Sequence, residues 1–409
     1  MRIALIDLLF SWPPHGGADV DVYHVAQELS RLGHDAHVFF ARDASCWERG
    51  RADTTSLPFP SSRLDFSEGE FTASLVVSRF QASIQRFKPD VIILAQGYFL
   101  KPFLIHGLSA YPVFSRCYAH ETACHKDILR FRDGAPCPHS YAETPERCRR
   151  CALAHLSAGI SGEHTNAWTQ EYLTAKAWSA RYYALFTSAM KLLRGIIITT
   201  GHMRGQVENL CDHIHVIPHG VDCERFTPPP GRHASKKPAL FMPGRVEDPA
   251  KGFAVLLEAA ATLDEAGYDF EVRATIPEGY PGPPWLKPTG KLDYASMPGA
   301  YQEADICVVP SIWEEPFGIV ALEAMASGIP VCASQTGGLQ DIVVHDTTGL
   351  LSESGNAEQL AAHLRLLLED EGKRRAMGAA GRKRALERYQ WKDLVAKHYP
   401  PLFAHRPDL

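Results

Sequence analysis

The 409-residue sequence lacks any long uninterrupted apolar run. Its longest candidate, around ALFTSAMKLLRGIIITT, is broken by Lys191 and Arg194, whereas a membrane-spanning helix needs roughly 18 or more apolar residues in succession. The amino terminus MRIALIDLLF is apolar, but it does not have the layout of a cleavable signal and predicts the first strand of a parallel sheet. We therefore expect a cytoplasmic protein, with contact at the inner face of a membrane left open.

The sequence also lacks an excess of positive charge. Its 42 Lys and Arg against 47 Asp and Glu give a net charge of −5, which offers no general reason to expect a nucleic-acid partner. The local basic run RKRALER near Arg382 is more simply interpreted as a solvated helix face. With 45% hydrophobic residues, the chain is long enough to form about two domains with full cores.

Strand-like and helix-like patterns alternate along the chain, which predicts an α/β protein with parallel sheets. The first series of strand candidates ends near Pro218 and comprises IALIDL, AHVFFA, VIILAQ, PVFSRCYA, GIIITT and HVIPHG. The second series comprises ALFMPG, DFEVRATI, ICVVPS and PVCAS. The proline-rich FTPPPG, around Pro228 to Pro230, lies just after the change from one series to the other.

The most informative stretch is PSIWEEPFGIVALEAMASGIPVCAS, from Pro310 to Ser334. It places Glu315 before a predicted helix and Glu323 within that helix, with Pro316 suited to the first helical position. Phe317 and Gly318 would let a ligand approach the free N–H groups at the helix start, which favours a phosphate-bearing ligand. The alternative is a surface helix with an acidic first turn.

Two further loops join a predicted strand to a predicted helix. GRVEDPAKGF places Gly244, Arg245 and Lys251 after the strand ALFMP, where the two cations could neutralise a diphosphate. QTGGLQDIV places Gly337 and Gly338 after the strand PVCAS. Three such loops indicate one crevice lined by loop ends.

Taken together and in order, these motifs resemble the family 4 glycosyltransferases. The resemblance also includes PPHGGADVDVYHVAQELSRLGHDAHVFF, IPHGVDCERFTP and ERYQWKDLVAKHY, and it covers nearly the whole chain. It implies the GT-B fold, in which two Rossmann-like doubly wound domains face each other across a cleft. It further implies a first, acceptor-side domain over 1–218, completed by a helix at 390–409, and a donor-binding domain over 219–389.

The resemblance also assigns roles to residues. Arg245 and Lys251 would bind the donor diphosphate, Glu323 the ribose hydroxyls and Glu315 the transferred sugar. Backbone groups near Gly318, Ile319 and Val320 would complete the phosphate site. The remaining donor contacts would come from Gly16, Gly17, Gly244, Lys291, Leu292 and Phe317.

The implied reaction retains the anomeric configuration and needs neither a protein nucleophile nor a catalytic metal. His120, in YAHE, aligns with the family's histidine near the transferred sugar, although a histidine at a strand end is about as often structural. Asp19 would cap the helix that follows the glycine turn.

The donor is expected to be a nucleotide-diphosphate sugar, UDP-linked or else GDP-mannose, and the acceptor a glycan, a lipid-linked intermediate or a small natural product. A sugar-nucleotide epimerase and a non-catalytic nucleotide-sugar sensor are the alternatives.

Five of the ten cysteines fall within an insertion at about 117–155, a feature that the resemblance places in one subgroup of the family. Cys148 and Cys151 have the spacing of a metal knuckle. With Cys124 and Cys137 they predict a structural zinc site, and His125 and His139 are reserve ligands; free thiols or another metal are the alternatives.

An aromatic-rich stretch follows, with Trp168, Tyr172, Trp178, Tyr182 and Tyr183, which indicates either core packing or an acceptor or lipid surface.

Overall fold

The computed structural model describes residues 1–46, 49–159, 166–229 and 237–404. The chain divides into two compact units. The first contains Met1–Arg130, Pro138–Ile217 and Leu394–Leu409, and the second contains Phe131–Cys137 and Pro218–Asp393. Pro230 of the proline-rich segment and the last five residues of the predicted carboxy-terminal helix lie outside the described residues.

The described strands are, in chain order, β1 Arg2–Asp7, β2 Asp35–Asp43, β3 Ser61–Phe66, β4 Val91–Leu94, β5 Val113–Arg116, β6 Phe131–Arg132, β7 Ala135–Pro136, β8 Gly195–Ile198, β9 Ile214–Val216, β10 Ala239–Met242, β11 Glu271–Ala274, β12 Leu286–Pro288, β13 Ile306–Val309, β14 Val331–Ser334 and β15 Gly349–Ser352. The described helices are α1 Gly17–Arg31, α2 Ala73–Phe87, α3 Lys101–Gly107, α4 Pro145–Gly159, α5 Ala167–Thr174, α6 Ala180–Leu192, α7 Phe253–Glu265, α8 Met297–Gln302, α9 Ile319–Ala326, α10 Leu339–Ile342, α11 Ala357–Glu369, α12 Glu371–Arg388 and α13 Trp391–Ala404.

The first unit is built on a seven-stranded sheet in the order β3-β2-β1-β4-β5-β8-β9, and its paired strands are parallel. The interior strand β1 is buried from Ile3 to Ile6, as expected when helices cover both faces of a parallel sheet. The strand order reverses between β1 and β4. In open α/β sheets, ligands bind beyond the carboxyl ends of the strands at such a reversal.

The second unit is built on a six-stranded sheet in the order β12-β11-β10-β13-β14-β15, also with parallel pairing. Its reversal lies between β10 and β13, where Leu240 and Phe241 pair with Ile306 and Cys307. The loops after β10 and β13 therefore begin at the position where a doubly wound sheet binds its ligand. The two sheets confirm the predicted α/β class.

The helices α2, α3 and α6 form one layer on the first sheet, because α3 packs against both of the others. The helix α2 forms because Thr72 caps it through the N–H of Leu75, and because Val76, Phe80 and Ile84 recur every four residues on its buried side. It ends at Lys88, which adopts the left-handed conformation.

Among the described helices, none combines the length and apolarity needed to cross a bilayer. The cytoplasmic location stays a prediction.

Candidate functional site

The loop after β10 carries the two predicted diphosphate-binding cations of the second unit. It turns at Gly244, whose φ is +99°, and its Gly244 carbonyl accepts a 2.6 Å hydrogen bond from Thr275 Oγ1. Arg245 is exposed at the turn. Asp248 then caps a short 3₁₀ turn over Pro249–Lys251 through the N–H of Ala250, which orients Lys251 at its end.

The loop after β13 packs directly on this turn. The N–H of Ile312 donates to the Ala250 carbonyl at 2.9 Å. A Cβ at Gly252 would lie 1.9 Å from the Pro310 carbonyl oxygen, and the φ of Gly252 is +77°. Only glycine allows both this backbone conformation and this contact. The close approach brings the predicted lysine and the predicted first glutamate together.

Lys251 and Glu315 form an ion pair, with Nζ 2.6 Å from Oε1. The Lys251 ammonium also lies 4.6 Å from the centre of the Trp313 ring, and Ser311 Oγ donates to the same Glu315 oxygen at 2.8 Å. Burial works to raise the pKa of Glu315, but the charge of Lys251 and these hydrogen bonds lower it below its ordinary value. Glu315 is therefore an ionised acceptor.

The third predicted loop contacts the backbone of Glu315. The N–H of Gly338 donates to the Glu315 carbonyl at 2.7 Å. A Cβ at Gly337 would lie 2.2 Å from that carbonyl oxygen, and the φ of Gly337 is +49°. The glycine pair thus has a structural reason: it lets the loop after β14 approach the backbone of the predicted sugar-binding residue.

The helix α9 begins later than the sequence indicates. Pro316 was expected at the first helical position, but α9 starts at Ile319, with Gly318 as its N-cap at a φ of +105°. The turn at Gly318 reverses the chain before the helix can begin, so Pro316 lies in the loop. Phe317 is buried, whereas Ile319 and Val320 are half-buried at the helix start. Glu315 before the helix and Glu323 within it agree with the prediction.

Glu323 is buried on α9 and accepts a 2.9 Å hydrogen bond from the Tyr301 hydroxyl. Burial raises the pKa of Glu323 to about 7, and this effect exceeds the opposing effects of Tyr301 and of the Arg225 charge. Arg225 is itself held by the Tyr294 carbonyl and lies 4.0 Å from the centre of the Tyr294 ring. Glu323 is thus a carboxyl group that can exchange its proton near neutral pH.

The segment with the predicted donor contacts Lys291 and Leu292 follows β12. Gly290 has a φ of +69°, and its N–H donates to the Ile276 carbonyl at 2.9 Å. Lys291 is exposed, and Leu292 packs at the edge of the cluster that contains Tyr301 and Phe317. The segment therefore presents its backbone beside the ends of β11 and β12.

In the first unit, the predicted active-site group His120 lies in the loop after β5. It is buried, and its Nδ1 is 2.6 Å from Gln206 Oε1. Its carbonyl accepts hydrogen bonds from the N–H groups of Ala123 and Cys124. His120 is thus fixed in orientation by the 3₁₀ turn over Gly201–Gln206.

The glycine turn of the first unit follows β1, with Gly16 as the N-cap of α1 and Gly17 as its first residue. Asp19 was expected to cap this helix, but α1 has no side-chain cap. Instead, Asp19 accepts hydrogen bonds from the N–H groups of Ser11 and His15, at 3.2 and 2.8 Å, and from Gln96 Nε2 at 2.8 Å. It therefore anchors the loop at the sheet reversal.

The predicted zinc site does not form in the described part of the chain, where no group of three or more His, Cys, Asp or Glu side chains is placed to hold a metal ion. Cys124 is buried with Sγ 3.9 Å from Asp127 Oδ1. Cys148 and Cys151 lie on α4, and the Cys148 thiol lies 3.7 Å from the hydroxyl of Thr144, the residue before that helix. Cys137 belongs to the segment that groups with the second unit.

Of the two reserve ligands, His125 has its ring packed in the core, whereas His139 makes a backbone contact. His125 is buried and stacks on Tyr141 with ring centres 3.3 Å apart, and burial lowers its pKa well below the ordinary value. His139 contributes its carbonyl to Arg130. The aromatic stretch that follows is mainly core: Tyr172 and Tyr182 are buried around Phe99, whereas Trp178 is exposed.

Several residues that shape these sites carried no signal in the sequence. Tyr301 and Arg225 neighbour Glu323 from distant positions, and Gln206 fixes His120. Arg382 was expected on a solvated face, but its guanidinium donates to the carbonyls of Phe226, Ala326 and Cys223. Ser311 is the exception, because its position in the same motif as Glu315 could have indicated it.

Solved structures with this architecture cover almost the whole chain. A sucrose-phosphate synthase from Thermosynechococcus elongatus superposes with a TM-score of 0.69 at 20% identity, covering 99% of both chains. Anabaena HepE in complex with UDP superposes with a TM-score of 0.67 at 15% identity, covering 99% of this chain and all of that one. The chain has the GT-B fold of glycosyltransferases.

Sequence comparisons match residues 286–384 to the family Glycosyl transferases group 1. The D-inositol 3-phosphate glycosyltransferase of Xylanimonas cellulosilytica is 33% identical over 219 residues, 45% of this chain and 50% of that protein. The phosphatidyl-myo-inositol mannosyltransferase of Mycolicibacterium smegmatis is 30% identical over 223 residues, 51% of this chain and 56% of that protein. The chain spans about half the length of the curated relatives it matches. The match over residues 286–384 confirms the predicted resemblance for that part of the chain.

Proposed function

We propose that this chain is a retaining glycosyltransferase that moves a sugar from a UDP-sugar to a hydroxyl of a glycan, a lipid-linked intermediate or a small molecule. One observation carries the proposal. The ion pair of Lys251 and Glu315 lies at the reversal of the second sheet, in a unit that contains the group 1 domain, with Arg245 on the same loop.

On the donor side, Arg245 and Lys251 neutralise the diphosphate. An ammonium group has three N–H donors, so Lys251 can keep its hydrogen bond to Glu315 while it donates to a phosphate oxygen. The N–H groups at the start of α9, near Gly318, Ile319 and Val320, add partial positive charge at the same place. Glu323 accepts hydrogen bonds from the ribose, and the segment of Lys291 and Leu292 lies beside the base.

In the proposed reaction, the bond between the anomeric carbon and the diphosphate oxygen breaks, and the acceptor oxygen bonds to that carbon on the same face. The acceptor proton passes to the departing diphosphate. Negative charge grows on the diphosphate as it leaves, so fixed cations lower the barrier more than they stabilise the bound donor. Glu315 holds a hydroxyl of the transferred sugar, and His120 is the proposed active-site group of the first unit.

The choice of UDP is supported by what similar structures contain. The Anabaena HepE structures are described with UDP and with UDP-glucose, and another similar structure is bound to UDP-2-fluoro glucose. Since these chains share at most 15% identity with this one, they support a nucleotide-sugar donor by fold alone. The choice between a UDP-sugar and a GDP-sugar therefore depends on the measured affinity of this protein for each.

The first experiment is a titration calorimetry panel of UDP-, GDP-, ADP- and dTDP-sugars, with donor hydrolysis measured in parallel. One donor should bind, and it should be hydrolysed slowly without acceptor. Arg245→Ala should weaken that binding by roughly tenfold or more, since a charge-assisted hydrogen bond contributes about 1.5 to 3 kcal/mol. Lys287→Ala is the matched control, because Lys287 is an exposed cation on β12 of the same unit.

Binding with the folded protein but no hydrolysis or transfer would favour the sensor. Interconversion of the nucleotide sugar without acceptor would favour an epimerase. If no nucleotide sugar binds, or if Arg245→Ala and Lys287→Ala have equal effects, the proposed donor site is wrong.

A further inference from the structure

The helices on one side of the first unit are almost free of acidic residues. The helices α2, α3, α5 and α6 contain a single acid, Glu171. Glu171 is fully buried, and its Oε1 lies 3.0 Å from the Arg49 guanidinium. Its other oxygen accepts the N–H groups of Tyr98 and Leu100. Negative charge is thus absent from the exposed surface of these four described helices.

Along α5, α6 and the turn between them, exposed positive charge is present without carboxylate partners in the described part of the chain, whereas Arg79 of α2 pairs with Glu70. Lys176, Arg181 and Lys191 are exposed, and within the described ranges none has a carboxylate partner. Two exposed cations of α12 in the second unit differ, because Arg375 pairs with Glu371 and Lys383 with Glu387. The unpaired cations of α5 and α6 therefore differ from these two positions, which provide a matched control.

The exposed positions of α6 form one stripe at helical spacing: Ala180, Arg181, Ala184, Ser188, Lys191 and Leu192. Large apolar side chains stand among these cations, with Leu192 45%, Leu173 40% and Trp178 38% exposed. Covering this exposed apolar area with a partner would be favourable. Together, α5, α6 and the turn between them combine apolar and cationic groups in the pattern of an interfacial surface.

An open groove of about 880 Å³ lies beside this stripe, within the first unit. Its apolar wall includes Phe71, Val77, Phe103, Leu173 and Leu185, and Lys176 lies at its edge. The groove is thus lined by residues from α2, α3, α5 and α6 and their connections. An elongated apolar group next to an anionic head would match its chemistry.

We propose that this surface, consisting of α5, α6 and the adjoining groove, docks on an anionic phospholipid bilayer. Lys176, Arg181 and Lys191 contact the negatively charged headgroups, Trp178 and Leu192 enter the interface, and the groove takes part of an acyl chain. Basic side chains near an anionic membrane contribute about 1 kcal/mol each, and buried apolar area adds to this attraction. Docking here is independent of the proposed transferase activity.

Cosedimentation with vesicles tests the proposal. The protein should bind vesicles of phosphatidylcholine with 30% phosphatidylglycerol and should bind pure phosphatidylcholine much more weakly, and added salt should weaken the binding. The double substitution Arg181→Glu and Lys191→Glu should lower partition by roughly 25-fold or more, at about fivefold for each lost cation. Arg375→Glu with Lys383→Glu is the matched control and should leave partition unchanged.

A second variant separates charge from folding. Lys176 has a φ of +51°, a conformation that glycine adopts without strain. Lys176→Gly should therefore keep or raise the unfolding temperature while it lowers partition about fivefold. Trp178→Ala should reduce binding to the same vesicles without changing its salt dependence.

The proposal is overturned if the folded protein does not bind the anionic vesicles, or if the α6 and α12 charge reversals reduce partition equally. It is also overturned if Lys176→Gly and Trp178→Ala both leave partition unchanged, since another surface would then hold the vesicle. Self-association that is lost in the same variants, without vesicle binding, would assign the surface to a protein interface instead. Nucleotide-sugar titration of each variant identifies a failure of the donor site separately.

Discussion

Lys251 Nζ lies 2.6 Å from Glu315 Oε1, although 64 residues separate them in the chain. The two residues occupy the loops after β10 and β13, which the reversal of strand order makes neighbours. Glu315 is nearly inaccessible to solvent, whereas Lys251 keeps about a fifth of its side chain exposed. Part of the Lys251 side chain is therefore accessible to a ligand, whereas the Glu315 carboxylate beside it is enclosed.

Replacing Lys251 by Met should destabilise the protein in a pH-dependent way. Lys251 lowers the pKa of Glu315 below 4.5, so the pair stabilises the fold above that pH and loses its effect as the pH falls through the lowered pKa. Without Lys251, burial would raise the pKa of Glu315. The loss in unfolding free energy should be roughly 2 to 4 kcal/mol at pH 7.5 and much smaller near pH 4, measured by urea denaturation.

The double variant Lys251→Met with Glu315→Gln is the control for this interpretation. It should recover part of the stability, because no buried charge is left without a partner. Equal destabilisation by Lys251→Met at both pH values would show that lost packing on Trp313, rather than the ion pair, is responsible.

Gly337→Ala should destabilise the second unit strongly. The added Cβ would lie 2.2 Å from the Glu315 carbonyl oxygen at a φ of +49°. Gly267→Ala is the matched control, because Gly267 has a φ of +82° but open space around its Cβ position. The control should cost about 1 kcal/mol, and Gly337→Ala at least about 2 kcal/mol more, since backbone must move. Equal melting temperatures would contradict the close approach.

Glu323→Gln should stabilise the ligand-free protein at alkaline pH. Burial raises the pKa of Glu323 to about 7 from 4.5, so its protonated form favours folding, and this stabilisation is lost as the pH rises through 7. Gln mimics the protonated form and can still accept from Tyr301. The variant should match the natural protein at pH 4.5 and exceed its stability by on the order of 2 to 3 kcal/mol at pH 8. A constant difference across this range would refute the raised pKa.

Arg49→Met should destabilise the first unit. Arg49 is fully buried and donates to the Leu8 and Ala167 carbonyls as well as to Glu171. Its loss would leave the Glu171 carboxylate buried without its cation, which costs about 3 to 5 kcal/mol. Hydrogen exchange should accelerate in β1 and α5. Arg2→Met is the control, because the pair of Arg2 with Asp35 is exposed and should contribute at most about 1 kcal/mol.

Sequence patterns predicted the interior strands of both sheets but missed β3, β12 and β15. These three strands lie at sheet edges. A central parallel strand is covered on both faces and reads as a continuous apolar run, whereas β3 alternates exposed and buried positions. The alternation explains why β3 carried a weak signal, whereas the edge strand β9 was predicted from HVIPHG.

The sequence by itself determined the fold class, the three strand-to-helix loops of the second unit and the placement of Glu315 and Glu323 before and within a helix. These features depend on local chemistry: apolar runs, glycine turns and charge at loop positions. Only the tertiary structure decided that Lys251 pairs with Glu315, that the Glu315 backbone packs against Gly337 and that Glu323 is buried against Tyr301. It also decided that, among the described residues, the cysteines are not arranged as a metal site. Contacts between distant segments depend on strand order and on the packing of side chains in three dimensions, which spacing along the chain does not specify.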